Sequence, residues 1–152
     1  LLTQVAGRAG RHNLPGKVII QTYNPDHYAF RYASKHDYEG FYREEIKLRE
    51  EVGYPPFKKL INILVSGDDE KKVLNVSSAF KKILDKSIDS KTSVLGPVPP
   101  VFPKIRGNYR SQILIKTGEL DGSRKAVAEA LKKVVILSGT RVSVDVEPMN
   151  ML

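Results

Sequence analysis

The residues best suited to chemistry lie near the start of the chain, where Gln4, Gly7, Arg8, Gly10 and Arg11 follow the pattern Q-x-x-G-R-x-G-R. Arg8 and Arg11 are three positions apart, so on one helical turn their guanidinium groups point to the same side. Phosphoryl transfer builds negative charge on the transferred phosphoryl oxygens, and an arginine placed beside them stabilises that charge. The spacing therefore predicts a catalytic role in ATP hydrolysis for both arginines.

The other members of the pattern fit the same chemistry. Gln4 lies one turn earlier on that face, where its amide can donate and accept hydrogen bonds. Gly7 and Gly10 remove side-chain bulk where the backbone approaches a nucleotide. We predict Gln4, Arg8 and Arg11 as catalytic residues, and Gly7, Arg8, Gly10 and Arg11 as ATP-binding residues. The alternative is a glycine-rich basic turn that matches the pattern by chance.

The rest of an ATPase site is missing from the sequence. No G-x-x-x-x-G-K-[ST] phosphate loop occurs, and no acidic residue that could hold magnesium precedes Gln4. We therefore expect the chain to be the C-terminal piece of a larger ATPase, with ATP and magnesium bound by the full-length parent. On its own, the piece is predicted to be inactive as an enzyme.

The charge distribution predicts an anionic partner. The 152 residues carry a formal net charge of +8, and positions 90–118 contain no acidic residue. We predict that this stretch binds DNA through phosphate contacts and base stacking. The residues assigned to DNA binding are Lys104, Arg106, Tyr109, Arg110 and Lys116. The alternative for the aromatic ring is packing against Pro99 or Pro103.

Composition also excludes several classes of protein. The absence of cysteine excludes disulfides and cysteine-ligated zinc within this sequence. His12, His27 and His36 lack the spacing of metal ligands, so we predict no metal site. No apolar run is long enough to span a membrane and no signal peptide is visible, which leads us to expect a cytoplasmic protein without a membrane partner.

The hydrophobic pattern predicts an α+β chain in three parts: 1–24, 25–57 and 58–152. The arginine pattern resembles the last ATPase motif of superfamily-two helicases, which implies that 1–24 is the end of a RecA-like helicase lobe. The apolar residues over 17–22 predict a strand in this part. We expect 25–57 to be a helical connector, with a helix over 27–34 and a second helix capped by Asp37 that runs to about Val52.

The hydrophobic pattern of residues 58–152 predicts a C-terminal α+β domain. Its elements are a strand over 59–66, a helix over 68–87, a strand over 92–95, a proline-rich loop over 96–103 and a strand over 110–117. A helix capped by Ser123 and ending near Gly139, and a strand over 141–147, complete it. The order β-α-β-β-α-β is typical of the ferredoxin-like arrangement, in which two helices cover one face of a sheet.

Strand periodicity places Arg110 and Gln112 together on the open face of that sheet. A cation beside an amide suits the terminal carboxylate of a peptide, so we assign both residues to partner binding. Leu60, Leu64 and Leu114 share this face and are candidates to hold an aromatic residue of the same peptide. The alternative is an ordinary sheet surface covered by the rest of the parent protein, with Gln112 satisfying a neighbouring loop.

Four segments carry a family resemblance: GRAGRHNLPGKVIIQTYNPDH, REEVGYPPFKKLINILVSG, VLGPVPPVFPKIRGNYRSQILIK and VSVDVEPMNML. The chain resembles the C-terminal part of the primosomal protein N-prime family, the bacterial replication-restart DNA helicases of superfamily two. The resemblance implies an ATP-dependent 3′-to-5′ DNA helicase, a hydrolase that recognises stalled or abandoned replication forks and promotes primosome assembly. It also implies a zinc module in the parent only, upstream of this piece.

The resemblance further implies partners and residue roles. The partners are single-stranded and forked DNA, the acidic C-terminal tail of single-stranded-DNA-binding protein, and other primosome proteins. Arg8 and Arg11 would sense the nucleotide. Asn108 and Ser111 stand where some relatives have an arginine and an aromatic residue, whereas Arg110 and Gln112 match. Two alternatives remain: an RNA-binding or ribosome-associated module, because such folds often bind RNA, and a structural brace for the arginine pattern.

Overall fold

The structure is a computed structural model that describes Gln4 and residues 17–149. Its described residues fall into two compact units that divide after Glu51. The first unit contains α1 (Tyr28–Ser34) and most of α2 (Tyr38–Val52). The second contains β1 (Lys59–Gly67), α3 (Glu70–Ser87), β2 (Ser93–Val98), β3 (Lys104–Ile105), β4 (Asn108–Thr117), α4 (Leu120–Lys133) and β5 (Thr140–Val146). The predicted α+β class is confirmed.

Side chains at the helix starts define the helical hairpin of the first unit. The Nδ1 atom of His27 accepts a hydrogen bond from the backbone N–H of Ala29, and the Asp37 carboxylate accepts one from the N–H of Gly40 at 2.8 Å. Both groups satisfy N–H donors that have no partner within the first turn of a helix. The predicted cap at Asp37 is confirmed, and α1 begins one residue later than expected.

Polar and aromatic contacts, rather than an apolar core, join α1 to α2. The Tyr28 hydroxyl donates to Glu45, and the Tyr32 hydroxyl donates to Glu44 at 2.8 Å. Arg49 donates to the other oxygen of Glu45 at 2.6 Å. The described residues of these two helices include none that is buried, so the hairpin depends on these hydrogen bonds more than the second unit does.

The strand predicted over 17–22 is wrong. These residues have no regular secondary structure, and Ile19 is 82% exposed. A strand is stabilised by hydrogen bonds to a neighbouring strand, and none of the described residues pairs with this segment. Apolar β-branched residues alone did not produce a strand here.

The second unit is built on an antiparallel sheet with the strand order β2-β4-β1-β5, and β3 pairs with the start of β4. On the two central strands, Ile61 is opposite Ile115 and Ile63 is opposite Ile113. All four side chains are fully buried, because α3 and α4 pack over that face. The main helical residues of this core are Val73, Val76, Phe80, Leu84, Val127 and Ala130.

Two details of the predicted elements are corrected. Ser123 does not cap α4; the cap is Glu119, whose carboxylate accepts hydrogen bonds from the N–H groups of Asp121 and Gly122. Ser123 is buried, and its hydroxyl donates to Thr117 at 2.9 Å. The helix also ends at Lys133 rather than near Gly139. A buried serine inside the first turn has the same residue type as a cap, so sequence alone did not separate the two roles.

The strands around the proline-rich segment also differ from expectation. Strand β2 continues to Val98, with an irregular register between Leu95 and Val98. The short strand β3 lies between the predicted loop over 96–103 and the strand predicted over 110–117, and β4 begins at Asn108, two residues earlier than expected. The result is a hairpin between β3 and β4 that the hydrophobic pattern did not indicate.

Candidate nucleic-acid interface

Residues 104–110 form a hairpin that carries most of the predicted DNA-binding side chains. We call it the basic hairpin. Ile105 pairs with Asn108, and the two intervening residues, Arg106 and Gly107, have φ angles of 49° and 84°. Two consecutive residues with positive φ match the right-handed twist of antiparallel strands. The glycine adopts this conformation without steric cost, so the turn projects Arg106 at the tip of the hairpin.

Short contacts hold the cations of the basic hairpin in place. The ammonium of Lys104 lies 4.1 Å from the centroid of the Tyr109 ring. The guanidinium of Arg110 donates to the carbonyl oxygen of Phe102 at 3.1 Å, and its backbone N–H donates to that of Pro103 at 2.9 Å. Lys104 and Arg110 are therefore held by contacts of the hairpin, whereas Arg106 is exposed at its turn.

Lys116 lies apart from this group. It is six residues beyond Arg110 on β4, which corresponds to about 20 Å along an extended strand. Its ammonium donates to the carbonyl of Val52, the first residue of the second unit, at 2.7 Å, and lies 4.3 Å from the centroid of the Tyr54 ring. The cations predicted to bind DNA therefore lie at two separate places, the basic hairpin and the far end of β4.

The Tyr109 ring lies on the helical side of the sheet. It packs against the hydrophobic core and, together with Pro99 and Pro103, lines a cavity of about 270 Å³. Glu70, at the start of α3, lines the same cavity. This position agrees with the packing alternative for Tyr109. The Lys104 ammonium packs over the Tyr109 ring, so this ring also stabilises the basic hairpin.

Arg110 and Gln112 do share the open face of the sheet, opposite Ser66 and Leu64. Leu60 and Leu114, however, are only 4% and 8% exposed, so they are already covered within this chain. The expectation that both would be available to hold a peptide side chain is wrong.

Accessible apolar groups on that face lie elsewhere. On β2, Leu95 is opposite Leu114 and Val98 is opposite Gln112. Leu95 and Val98 are each about half exposed. Among the described residues, the side-chain oxygen of Asn62 is a buried polar atom without a hydrogen-bond partner. Sequence periodicity identified the shared face but not which of its residues remain accessible.

The predicted nucleotide site cannot be located in the same way. Gly7, Arg8, Gly10 and Arg11 lie outside the described residues, and Gln4 is helical and exposed. Within the described part of the chain, no group of three or more histidine, cysteine or acidic side chains is arranged to hold a metal. No helix in that part is both long and apolar enough to cross a membrane.

Sequence reasoning missed the apolar side chains beside the basic hairpin. Val101, Phe102 and Ile105 are 72%, 51% and 43% exposed. Their signal in the sequence is a set of large apolar residues interleaved with Pro100, Pro103 and the two cations. Prolines keep Val101 and Phe102 out of a regular strand, and Ile105 belongs to a strand of only two residues at the edge of the sheet.

The chain is similar in sequence to a known protein family and to several known proteins. The family model described as primosomal protein N C-terminal domain matches residues 50–149. Replication restart protein PriA from Bacillus subtilis (strain 168) is 37% identical over 155 residues, which cover 100% of this chain and 19% of that protein. The protein of the same name from Chlamydia trachomatis serovar D is 35% identical over 150 residues, covering 99% and 20%.

A third relative is the Replication restart protein PriA of Synechocystis sp., 40% identical over 115 residues, covering 76% of this chain and 14% of that protein. The chain spans about a fifth of the length of the first two relatives. Among solved structures, an amidase of the hydantoinase/carbamoylase family from Burkholderia phymatum aligns over 59% of this chain and 27% of that chain. The TM-score is 0.41 and the identity 7%, too distant to inform function.

Proposed function

The chain belongs to the primosomal protein N C-terminal domain family, and from that premise we propose that it is the DNA- and partner-binding C-terminal part of a replication-restart helicase. The parent would be an ATP-dependent 3′-to-5′ DNA helicase that recognises stalled or abandoned forks and promotes primosome assembly. The relatives named Replication restart protein PriA support this role. The parent would act in the bacterial cytoplasm.

The single observation that carries the DNA-binding part is the basic hairpin. Lys104, Arg106 and Arg110 lie within seven residues of one hairpin, in a stretch of sequence without acidic residues. Lys104 is held over the Tyr109 ring, and Arg106 is at the turn. Cations in such an arrangement contact phosphates and release counterions, which gives affinity without base-sequence preference. Lys116 remains a proposed contact, but its ammonium must first leave the Val52 carbonyl.

We further propose that the second unit is a variant of the ferredoxin-like arrangement. Its strand order β2-β4-β1-β5 and the packing of α3 and α4 on one face support this, and β3 is the added element. Residues 1–24 are proposed as the end of a RecA-like lobe, with Arg8 and Arg11 acting on ATP and magnesium bound by the parent. Zinc would belong to the parent alone.

Arg110 and Gln112 are proposed to receive the acidic C-terminal tail of single-stranded-DNA-binding protein. Support comes from their shared face and from the half-exposed Leu95 and Val98 beside them. Arg110 already donates to the Phe102 carbonyl, so a peptide carboxylate would share this guanidinium rather than meet it alone.

Charge reversal tests the DNA-binding proposal. We expect Lys104→Glu/Arg106→Glu to weaken binding of the chain to a fluorescent forked DNA. The slope of log affinity against log salt concentration should fall by about 2, because two phosphate contacts are lost. The matched control is Lys71→Glu/Lys82→Glu, which makes the same charge change on exposed positions of α3.

Two outcomes would contradict the proposal. Equal losses in the two double variants would mean that net charge, and not the hairpin, determines binding. Tighter binding of wild-type chain to structured RNA of equal length than to forked DNA would favour the RNA-binding alternative.

A further inference from the structure

The apolar side chains next to the basic hairpin have no role in phosphate binding. Val101, Phe102 and Ile105 expose between 43% and 72% of their surface. They lie in sequence directly beside Lys104 and Arg106, both of which are exposed. Contiguous exposed apolar patches mark binding surfaces, and these three side chains lie within five consecutive residues. Here the surface joins apolar and cationic groups within seven consecutive residues, 101–107.

This segment is held in a defined conformation. The Arg110 guanidinium fixes the Phe102 carbonyl at 3.1 Å, and the Arg110 N–H fixes the carbonyl of Pro103 at 2.9 Å. On the other side, the two-residue turn and the pairing of Ile105 with Asn108 close the hairpin. A surface that is ordered before binding loses less conformational entropy when a ligand arrives.

The two aromatic rings of this region are not equivalent. Tyr109 is half-buried against the core and supports Lys104. Phe102 is 51% exposed. It lies two residues before Lys104 in the sequence, and its carbonyl oxygen accepts a hydrogen bond from the Arg110 guanidinium. Of the two aromatic side chains, Phe102 is the more accessible to a ligand, because Tyr109 packs against the core and lies under the Lys104 ammonium.

We propose that residues 101–107 form a site for unpaired DNA bases, in which Phe102 stacks on a base while Lys104 and Arg106 contact the flanking phosphates. The inference rests on the proposed DNA-binding function and makes it more specific. Aromatic stacking needs an accessible base face, which single-stranded DNA offers and an intact duplex does not. The segment would thus distinguish the unpaired part of a fork from its duplex arms.

The test compares a labelled oligo-dT with a labelled duplex of equal length, titrated with the 152-residue chain. We expect Phe102→Ala to weaken oligo-dT binding about 5- to 150-fold, the range for loss of one stacked base. Duplex affinity and the salt slope should stay unchanged, because no charge is removed. Phe102→Tyr should restore binding. Phe102→Leu keeps an apolar side chain of similar size and should behave like Phe102→Ala.

Control variants separate this inference from the proposed function. Val135→Ala removes apolar surface at a position that is 75% exposed but far along the chain from the hairpin, and should leave oligo-dT binding unchanged. Normal oligo-dT binding by Phe102→Ala, with binding lost in Lys104→Glu/Arg106→Glu, would overturn the stacking site and leave phosphate binding intact. Equal weakening of oligo-dT and duplex would also overturn it.

Two further outcomes decide the ligand. If the wild-type chain bound neither DNA, the stacking site and the DNA-binding function of this chain would both be wrong. If oligo-rU bound about tenfold more tightly than oligo-dT, the site would belong to RNA instead. Tighter binding of oligo-dT than of duplex, lost with the phenyl ring and regained with tyrosine, supports the proposal.

Discussion

At the scale of single residues, the segments around the basic hairpin depend on glycines whose environments differ. Gly96, on β2, has a φ of 100°, and a Cβ added there would lie 2.5 Å from the carbonyl oxygen of Gln112. Gly107, in the hairpin turn, has a φ of 84°, and a Cβ there would meet nothing within 4 Å. The positive φ angle favours glycine at both positions. At Gly96, the close approach of the β4 backbone also leaves no room for a side chain.

This difference predicts unequal effects of the same substitution. Gly107→Ala should lower the free energy of unfolding by about 1–2 kcal/mol, the conformational cost of positive φ. Gly96→Ala should cost about 3 kcal/mol or more, because steric overlap with β4 adds to that strain. Urea unfolding of the two variants measures both values. Equal losses would show that the β2–β4 contact relaxes to accept the methyl group.

At the scale of elements, the helical hairpin of the first unit is held by ionisable groups. The hydrogen bond donated by Tyr28 lowers the pKa of Glu45 below its ordinary value of 4.5, and the bond from Arg49 lowers it further. The same bond to Glu45 raises the pKa of Tyr28. Both shifts describe one arrangement, in which an ionised carboxylate accepts from a neutral hydroxyl.

The lowered pKa predicts that the hairpin loses stability in acid. A carboxyl group with a lowered pKa in the folded state contributes stability above its unfolded pKa, and that contribution is lost as the pH falls through the folded pKa. We expect amide hydrogen exchange within α1 and α2 to accelerate as the pH falls below 4.5, after correction for the intrinsic rate.

Glu45→Gln provides the matched test. It removes the titrating group while keeping an oxygen that accepts from Tyr28, so it should flatten this part of the pH dependence. Glu50→Gln makes the same change at an exposed position of the same helix and serves as the control. A pH dependence in Glu45→Gln like that of wild type would assign the acid sensitivity to another group.

At the scale of the whole molecule, the chain is proposed to supply two arginines to a nucleotide site whose other residues belong to the parent. Its sequence has the arginine pattern and no phosphate loop. An arginine can stabilise a transferring phosphoryl group only where other residues hold the nucleotide and its metal ion. We therefore propose that catalysis belongs to the parent and that DNA contact belongs to the second unit.

This division predicts separable defects. The isolated chain should show no ATP hydrolysis. In a full-length parent, Arg11→Ala should lower DNA-stimulated ATP turnover by about 10³- to 10⁵-fold, while affinity for forked DNA changes only a few-fold. Lys104→Glu/Arg106→Glu should instead lower the affinity for forked DNA, while ATP turnover at saturating DNA changes only a few-fold. Normal turnover in Arg11→Ala would refute the catalytic assignment of the arginine pattern.

The sequence by itself determined the elements whose side chains alternate or recur with a clear period. The alternation of Ile61, Ile63 and Val65 predicted β1 and its buried face, and the spacing of Val73, Val76 and Phe80 predicted α3. These patterns are local, because a strand or helix places its apolar side chains on one side whatever it packs against. The cations of the basic hairpin were likewise found from residue type and the absence of acids.

Only the tertiary structure decided which of these residues remain accessible and which cations act together. Leu60 and Leu114 have the right parity for the open face yet are buried, whereas Phe102 is exposed. Lys116 has the same charge as Lys104 but contacts Val52 at the other end of β4. The exposure of a side chain and the grouping of cations depend on residues that are distant in the chain but pair and pack together. A local sequence pattern contains no information about those partners.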